Sequence, residues 1–213
     1  MIKTVIISQQ GSGTNLLRSF LNSHPDVFIW DEIFTRTDRY KAMVVSYGEN
    51  SVNKYLEEFF MTGRNFDKMV MGKIEPGEIP KVLGFDLKYN NIASNGLIWD
   101  WLVANKKDIK IIHLRRCKGR TFLRMTNEKK GALYWKEFHK HIETVGKWEE
   151  VIENEFGDFD YQSFNYEDMT RGYEISELPI DFERRLLDFL GVKIMRLTIS
   201  LDAVRPDKLK MRY

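Results

Sequence analysis

The sequence contains a single cysteine and no hydrophobic run that approaches the length of a membrane-spanning helix. Because one thiol can form no internal disulfide bond, Cys117 favours a protein that works in a reducing compartment. The first residues lead directly into an apolar segment, without the features of a secretory signal peptide. We therefore expect a cytoplasmic protein that has no membrane partner.

The first glycine-containing segment lacks the lysine that a Walker A loop requires. An apolar run at residues 4–8 predicts a buried strand, and Gly11 and Gly13 then turn the chain. From Thr14 onward, large apolar side chains recur at helical spacing. A strand, a glycine turn and a helix can point backbone N–H groups at a phosphate, although ordinary strand–helix turns look similar. Small polar residues favour the phosphate: Ser12, Thr14 and Asn15.

Strands and helices alternate along the chain, which predicts a parallel sheet with helices on both faces. We expect one P-loop-like α/β domain over residues 1–213, because this length is enough for one sizeable core. The predicted strands are residues 4–8, 27–30, 82–87, 109–114 and 159–164. The predicted helices include parts of 35–62, 97–103, 121–126, 142–156 and 182–190, with mainly loop at 63–80.

Charge is distributed unevenly, although the net charge is only +2. Residues 106–140 carry twelve lysines and arginines against three acidic residues, and residues 143–188 carry fourteen acidic against four basic residues. The basic block could hold an anion, or the two blocks could be two solvated faces. A nucleic-acid reader would show a steep salt dependence of binding, and we expect no nucleic-acid partner.

Polar and charged residues follow three of the predicted strands directly. They are the loop at residues 11–15, the pair Asp31 and Glu32, and the pair Arg115 and Arg116. The carboxyl ends of parallel strands meet at one edge of the sheet, where ligands bind. Alternation lets only one of the two arginines face that edge. Glu32 taken alone is more typical of a solvated loop carboxylate or a charge at a helix terminus. Together the three groups indicate transfer from a nucleotide that carries two separated anions.

These segments resemble the PAPS-dependent sulfotransferases, particularly the bacterial carbohydrate type. The matching segments are GSGTNLLRSFLNSHPDV at 11–27, DEIF at 31–34, KIIHLRR at 110–116, NYEDM at 165–169 and LLDFLGV at 186–192. With the first strand they cover nearly the whole chain in the family's order. The resemblance implies transfer of a sulfuryl group from 3′-phosphoadenosine 5′-phosphosulfate (PAPS) to a hydroxyl of a carbohydrate or small molecule. The product of the donor is then adenosine 3′,5′-bisphosphate (PAP).

The resemblance also implies roles for individual residues. Arg116 would bind the 3′-phosphate of the donor, and Glu32 would be the general base that takes the acceptor proton. Such a base contributes roughly 10²–10⁴-fold to the rate. The residues that would surround the 5′-phosphosulfate are Gly11, Ser12, Gly13, Thr14 and Asn15.

The sequence departs from the family pattern at two positions. The family has Lys or Arg where this chain has Gly11. The family also has a serine eight or nine residues after the 3′-phosphate arginine, where this chain has Arg124 and Met125. Arg124 or Thr126 could bind the same phosphate, and Lys88 or Arg120 could supply the missing cation. The sequence leaves both choices open.

Two other functions compete with sulfuryl transfer. A P-loop-type nucleotide kinase is disfavoured by the missing loop lysine, whereas Gly11 supports a degenerate nucleotide-binding protein without turnover. We expect no metal site, because His139 and His141 lie at a spacing typical of a helix surface. His113, inside a predicted strand, is expected to be a packing residue. The acceptor and the oligomeric state are left open.

Overall fold

The computed structural model describes residues 1–34, 51–62, 80–128, 135–171 and 176–199. Its sheet has five strands in the order β2-β3-β1-β4-β5, and every neighbouring pair is parallel. The strands are β1 (Ile2–Ser8), β2 (Val27–Trp30), β3 (Val82–Lys88), β4 (Ile109–Arg115) and β5 (Tyr161–Asn165). The expected α/β class, with a parallel sheet of about five strands, is confirmed.

Helices cover both faces of this sheet. The described helices are α1 (Thr14–Leu21), α2 (Ser51–Thr62), α3 (Tyr89–Ser94), α4 (Gly96–Ala104), α5 (Lys118–Glu128), α6 (Trp135–Phe156), α7 (Tyr166–Met169) and α8 (Ile180–Leu190). Side chains of α2, α4 and α6 form one core with one face of the sheet, and α1, α7 and α8 form a second core with the other. Within the described ranges, no helix has the length and apolar character to cross a membrane.

The central strand explains the apolar run near the start of the chain. Val5 and Ile7 enter the first core, Ile6 enters the second, and none of the three is exposed. A strand in the middle of a parallel sheet is covered on both faces, so its sequence is continuously apolar rather than alternating.

The predicted elements agree with the structure in type and differ mainly at their ends. Helix α6 begins seven residues before the predicted start at residue 142. Its first turns are mainly exposed and polar, so they lack the apolar spacing on which the prediction rests. The short helices α3 and α7 were not predicted. Gly191 ends α8 in the left-handed conformation, with φ 68°, as expected of a helix-capping glycine. The predictions for residues 35–50 and 63–79 lie outside the described residues.

The strand order places three connections side by side at the carboxyl edge of the sheet. The loop after β1 lies at the centre, and the ends of β3 and β4 flank it. The end of β2 lies beyond β3. Residues that are far apart in the sequence can therefore contact one loop.

Candidate functional site

The loop at residues 11–15 joins β1 to α1 and depends on its two glycines. Gly11 and Gly13 have φ values of 82° and 92°, in the left-handed region that favours glycine. Helix α1 begins at Thr14, so the N–H groups of Thr14 and Asn15 have no partner within the helix, whereas those of Leu16 and Leu17 donate to the Gly13 carbonyl oxygen. Ser12 is 1% exposed, and its Oγ has no hydrogen-bond partner in the described part of the chain. A buried hydroxyl of this kind fits a ligand oxygen bound at the loop.

A buried lysine from the neighbouring strand contacts this loop. Lys88 is the last residue of β3, and its Nζ donates a hydrogen bond to Oγ1 of Thr14. The same Nζ lies 3.4 Å from Oγ of Ser8, with which Lys88 is in register. The lysine side chain is only 4% exposed. Because an ammonium group can only donate, the Thr14 hydroxyl keeps its own proton available for an anion.

Lys88 thus places a positive charge at the loop, which has no basic residue of its own. Gly11 provides no charge, and the sequence left Lys88 and Arg120 as alternatives for that function. Arg120 is exposed on α5, whereas the Lys88 ammonium is buried against the loop. The geometry therefore favours Lys88.

Two carboxylates lie near the Lys88 ammonium. Its Nζ is 3.6 Å from Oε1 of Glu32 and 3.4 Å from Oδ2 of Asp86. The Glu32 side chain is 24% exposed, whereas Asp86 is completely buried. A molecule in solution can therefore reach Glu32 but not Asp86. Glu32 therefore lies beside the lysine that contacts the loop and is open to solvent.

Asp31 has a different environment from Glu32. Its carboxylate is 2.6 Å from a guanidinium nitrogen of Arg18 on α1, and its Oδ1 accepts the backbone N–H of Glu32. Burial alone would raise the pKa of Asp31, but Arg18 and these hydrogen bonds hold that pKa below its ordinary value. Asp31 therefore orients the backbone that carries Glu32.

Arg115 ends β4 and Arg116 follows it, and only Arg116 contacts the loop, as the alternation of side chains predicts. Nη1 of Arg116 donates a 2.7 Å hydrogen bond to the carbonyl oxygen of Gly11, and its Nε is buried without a partner among the residues described. Arg115 instead donates a 2.8 Å hydrogen bond to Glu153 on α6. A second unsatisfied donor, on Arg116, thus lies near the loop, where it fits a bound anion.

Helix α5 brings a further cation beside the loop. The Cδ of Arg124 would lie 3.6 Å from a Cβ built on Gly11, and Arg124 is exposed. The Thr126 hydroxyl donates to carbonyls of its own helix, which makes Arg124 the better placed of the two alternatives. Asn15 is exposed at the start of α1, where its Oδ1 is 3.5 Å from Arg18 Nη2.

His113 is a packing residue rather than a member of this site. It is fully buried, and its two ring nitrogens lie 2.7 Å from the hydroxyls of Tyr89 and Tyr161. Burial, with a contribution from Arg115, lowers the pKa of His113 to about 3. The imidazole is therefore neutral at physiological pH and links the two tyrosines.

The Asp86 carboxyl should make the free energy of unfolding decrease as the pH rises from about 4 to about 6. Burial raises the pKa of Asp86 from 3.8 to about 6, against the opposing effect of Lys88. In this interval the native state keeps a proton that the unfolded state has released, so raising the pH favours unfolding, by on the order of 1–3 kcal/mol. Urea unfolding between pH 4 and 7 measures the effect. Asp86→Asn should lack it, and an unchanged pH dependence in this variant would contradict the assignment.

The fold and the glycine loop define a P-loop-like α/β protein. No family model and no curated protein matches the chain. A sulfotransferase from Alicyclobacillus acidocaldarius aligns with TM-score 0.57 at 15% identity, over 97% of this chain and 87% of that chain. The sulfotransferase domain of the Synechococcus PCC 7002 olefin synthase aligns with TM-score 0.53 at 18% identity, over 100% and 83%. A shikimate kinase from Bacteroides thetaiotaomicron gives 0.48 at 13%, over 90% and 99%. At such identities the likeness shows the fold alone.

Proposed function

We propose that the protein is a PAPS-dependent sulfotransferase acting on a hydroxyl of a carbohydrate or small-molecule acceptor. The observation that carries the proposal is the position of Lys88, whose buried ammonium contacts Thr14 of the loop and lies 3.6 Å from Glu32. Sulfuryl transfer needs a cation near the leaving oxygen and a base near the attacking hydroxyl. The fold likeness to two sulfotransferases supports the same assignment.

The donor site is assigned from the unsatisfied groups around the loop. Ser12, Thr14 and the N–H groups that open α1 would hold the 5′-phosphosulfate, where Ser12 Oγ is buried without a described partner. Arg116 would hold the 3′-phosphate, with Arg124, which also lies beside Gly11, as a second cation. Bound PAPS supplies the activated sulfuryl group, and PAP remains after transfer.

The proposed step transfers the sulfuryl group from one oxygen atom to another. The acceptor hydroxyl oxygen forms a bond to sulfur while the bond from sulfur to the 5′-phosphate oxygen breaks. Glu32 takes the hydroxyl proton, and the electron pair of the broken bond stays on the phosphate oxygen. Lys88 and the Thr14 hydroxyl stabilise the charge that develops there. Because such transition states are loose, positioning and charge stabilisation dominate the rate enhancement.

A nucleotide kinase is the second candidate. The missing loop lysine disfavours it in the sequence, but Lys88 supplies a lysine to the loop from the next strand. The same observation weakens the case for a degenerate protein, which rested on Gly11. Donor preference separates the possibilities.

We expect PAP to raise the melting temperature more than 5′-AMP does, because only PAP carries a 3′-phosphate for Arg116. A ligand at about 100 times its Kd stabilises the native state by about 2.7 kcal/mol. Thermal denaturation with PAP, AMP, adenosine and ATP–Mg²⁺ in parallel provides the test. No shift at millimolar PAP would contradict the donor assignment, and a larger shift with ATP–Mg²⁺ would favour the kinase.

A further inference from the structure

Tyr166 lies between the loop and the arginine assigned to the 3′-phosphate. It is the first residue of α7, directly after β5. The centroid of its ring is 4.1 Å from the guanidinium carbon of Arg116. The same ring packs against Gly13, because a Cβ built on Gly13 would overlap its Cδ2 and Cε2 atoms. One aromatic ring therefore contacts both parts of the donor site.

The contact with Gly13 fixes the ring relative to the loop. Gly13 has φ 92°, and the absence of a side chain lets its backbone approach the ring directly. Any displacement of the ring toward the loop would meet backbone atoms rather than a flexible side chain. The backbone at Gly13 thus limits how far the Tyr166 ring can move toward the loop.

The contact with Arg116 fixes the guanidinium relative to the ring. A cation–π contact holds the guanidinium carbon over the ring, while Nη1 donates to the Gly11 carbonyl at 2.7 Å. Two restraints on a planar group determine the direction in which its other N–H groups point. Among the described contacts, Nε of Arg116 has no protein partner.

We propose that Tyr166 is a positioning residue that holds Arg116 at a fixed separation from the loop and thereby selects nucleotides carrying both phosphates. The proposal rests on the proposed function in that it takes the loop and Arg116 as the two anion sites. A ligand with two linked anions gains from both sites only when their spacing is fixed in advance. A nucleotide with the 5′-phosphate alone does not use Arg116 and gains nothing from the spacing.

Calorimetric titration of PAP and 5′-AMP tests this in the wild type, Tyr166→Leu and Tyr166→Phe. Loss of the aromatic ring in Tyr166→Leu should lower the affinity for PAP about tenfold and leave the affinity for AMP nearly unchanged. Tyr166→Phe keeps the aromatic face and should keep the wild-type ratio of the two affinities. A ring that merely packs the loop would instead affect both nucleotides equally.

A double-mutant cycle shows whether Tyr166 acts through Arg116. In the Arg116→Ala background, Tyr166→Leu should cause no further loss of PAP affinity, whereas independent effects would add. Additive losses, or equal losses for PAP and AMP, would overturn the proposal. If near-ultraviolet circular dichroism shows that Tyr166→Leu does not fold, Tyr166→Met removes the aromatic face at similar length.

The wild-type titration distinguishes a failure of the donor assignment from a failure of the role of Tyr166. A wild type that does not prefer PAP over AMP would overturn the donor assignment, and with it the selection by Tyr166. A wild type that prefers PAP, together with a folded Tyr166→Leu that keeps the same preference, would overturn the role of Tyr166 alone.

Discussion

Replacing Lys88 with methionine and Asp86 with asparagine together should slow sulfuryl transfer from PAPS to water by roughly 10²–10³-fold. The double variant removes the cation that contacts Thr14, so charge developing on the 5′-phosphate oxygen loses its nearest buried partner. Lys88→Met alone would leave the Asp86 carboxylate buried without its counter-ion and would destabilise the fold. Neutral replacement of both partners avoids that cost.

Single-turnover reactions, followed by chromatographic separation of PAP from PAPS, measure this effect without an acceptor. Asp86→Asn is the matched control, because it keeps Lys88 at the loop and should retain most of the rate. If the double variant keeps the wild-type rate while the chemical step is rate-limiting, Lys88 is not the leaving-group cation. Arg124, which lies beside Gly11, would then be tested next.

Glu32→Gln should lower sulfuryl transfer by roughly 10²-fold or more and leave the affinity for PAP nearly unchanged. Glutamine keeps the size and hydrogen-bonding capacity of Glu32 but cannot accept the acceptor proton. The Glu32 side chain is 24% exposed and lies 3.6 Å from Lys88, so it is open to solvent and close to the cation that contacts Thr14. The same single-turnover assay gives the rate, and calorimetry gives the PAP affinity.

Asp31→Asn is the matched control for this second variant. Asp31 pairs with Arg18 and accepts the Glu32 N–H, so its replacement changes orientation only and should reduce the rate less. Full turnover in Glu32→Gln, with chemistry rate-limiting, would require a different base. Loss of PAP binding in this variant would instead make Glu32 a structural part of the donor pocket.

The parts of the site that the sequence predicts are those that depend on residues close to one another in the chain. Residues 4–21 form strand, loop and helix because apolar spacing and two glycines act within a few residues of one another. Alternation of side chains at the end of a strand predicts that only one of Arg115 and Arg116 faces the loop. The parallel sheet follows from the alternation of strands and helices along the chain, and the structure confirms it.

The parts that the sequence leaves open depend on contacts between distant residues. The choice between Lys88 and Arg120 needs the strand order, because only the pairing of β3 with β1 brings Lys88 to the loop. The contact of Tyr166 with Gly13 likewise requires the fold that places α7 beside the loop after β1. Its sequence signals are an aromatic residue directly after a strand, which is a common arrangement, and its place in NYEDM, a segment that resembles the family without indicating this contact. The short helices α3 and α7 carry too few turns for a periodic pattern.

Because β3 pairs with β1, the positive charge at the loop can be supplied by a residue of β3 instead of a residue of the loop. Lys88 and Thr14 are 74 residues apart in the sequence, yet they form a direct hydrogen bond. Adjacent strands lie about 4.8 Å apart, which a lysine side chain easily spans. A search pattern that demands a basic residue inside the glycine loop would therefore pass over a protein built in this way. A template written in spatial coordinates, with the ammonium allowed to come from either strand, would find it.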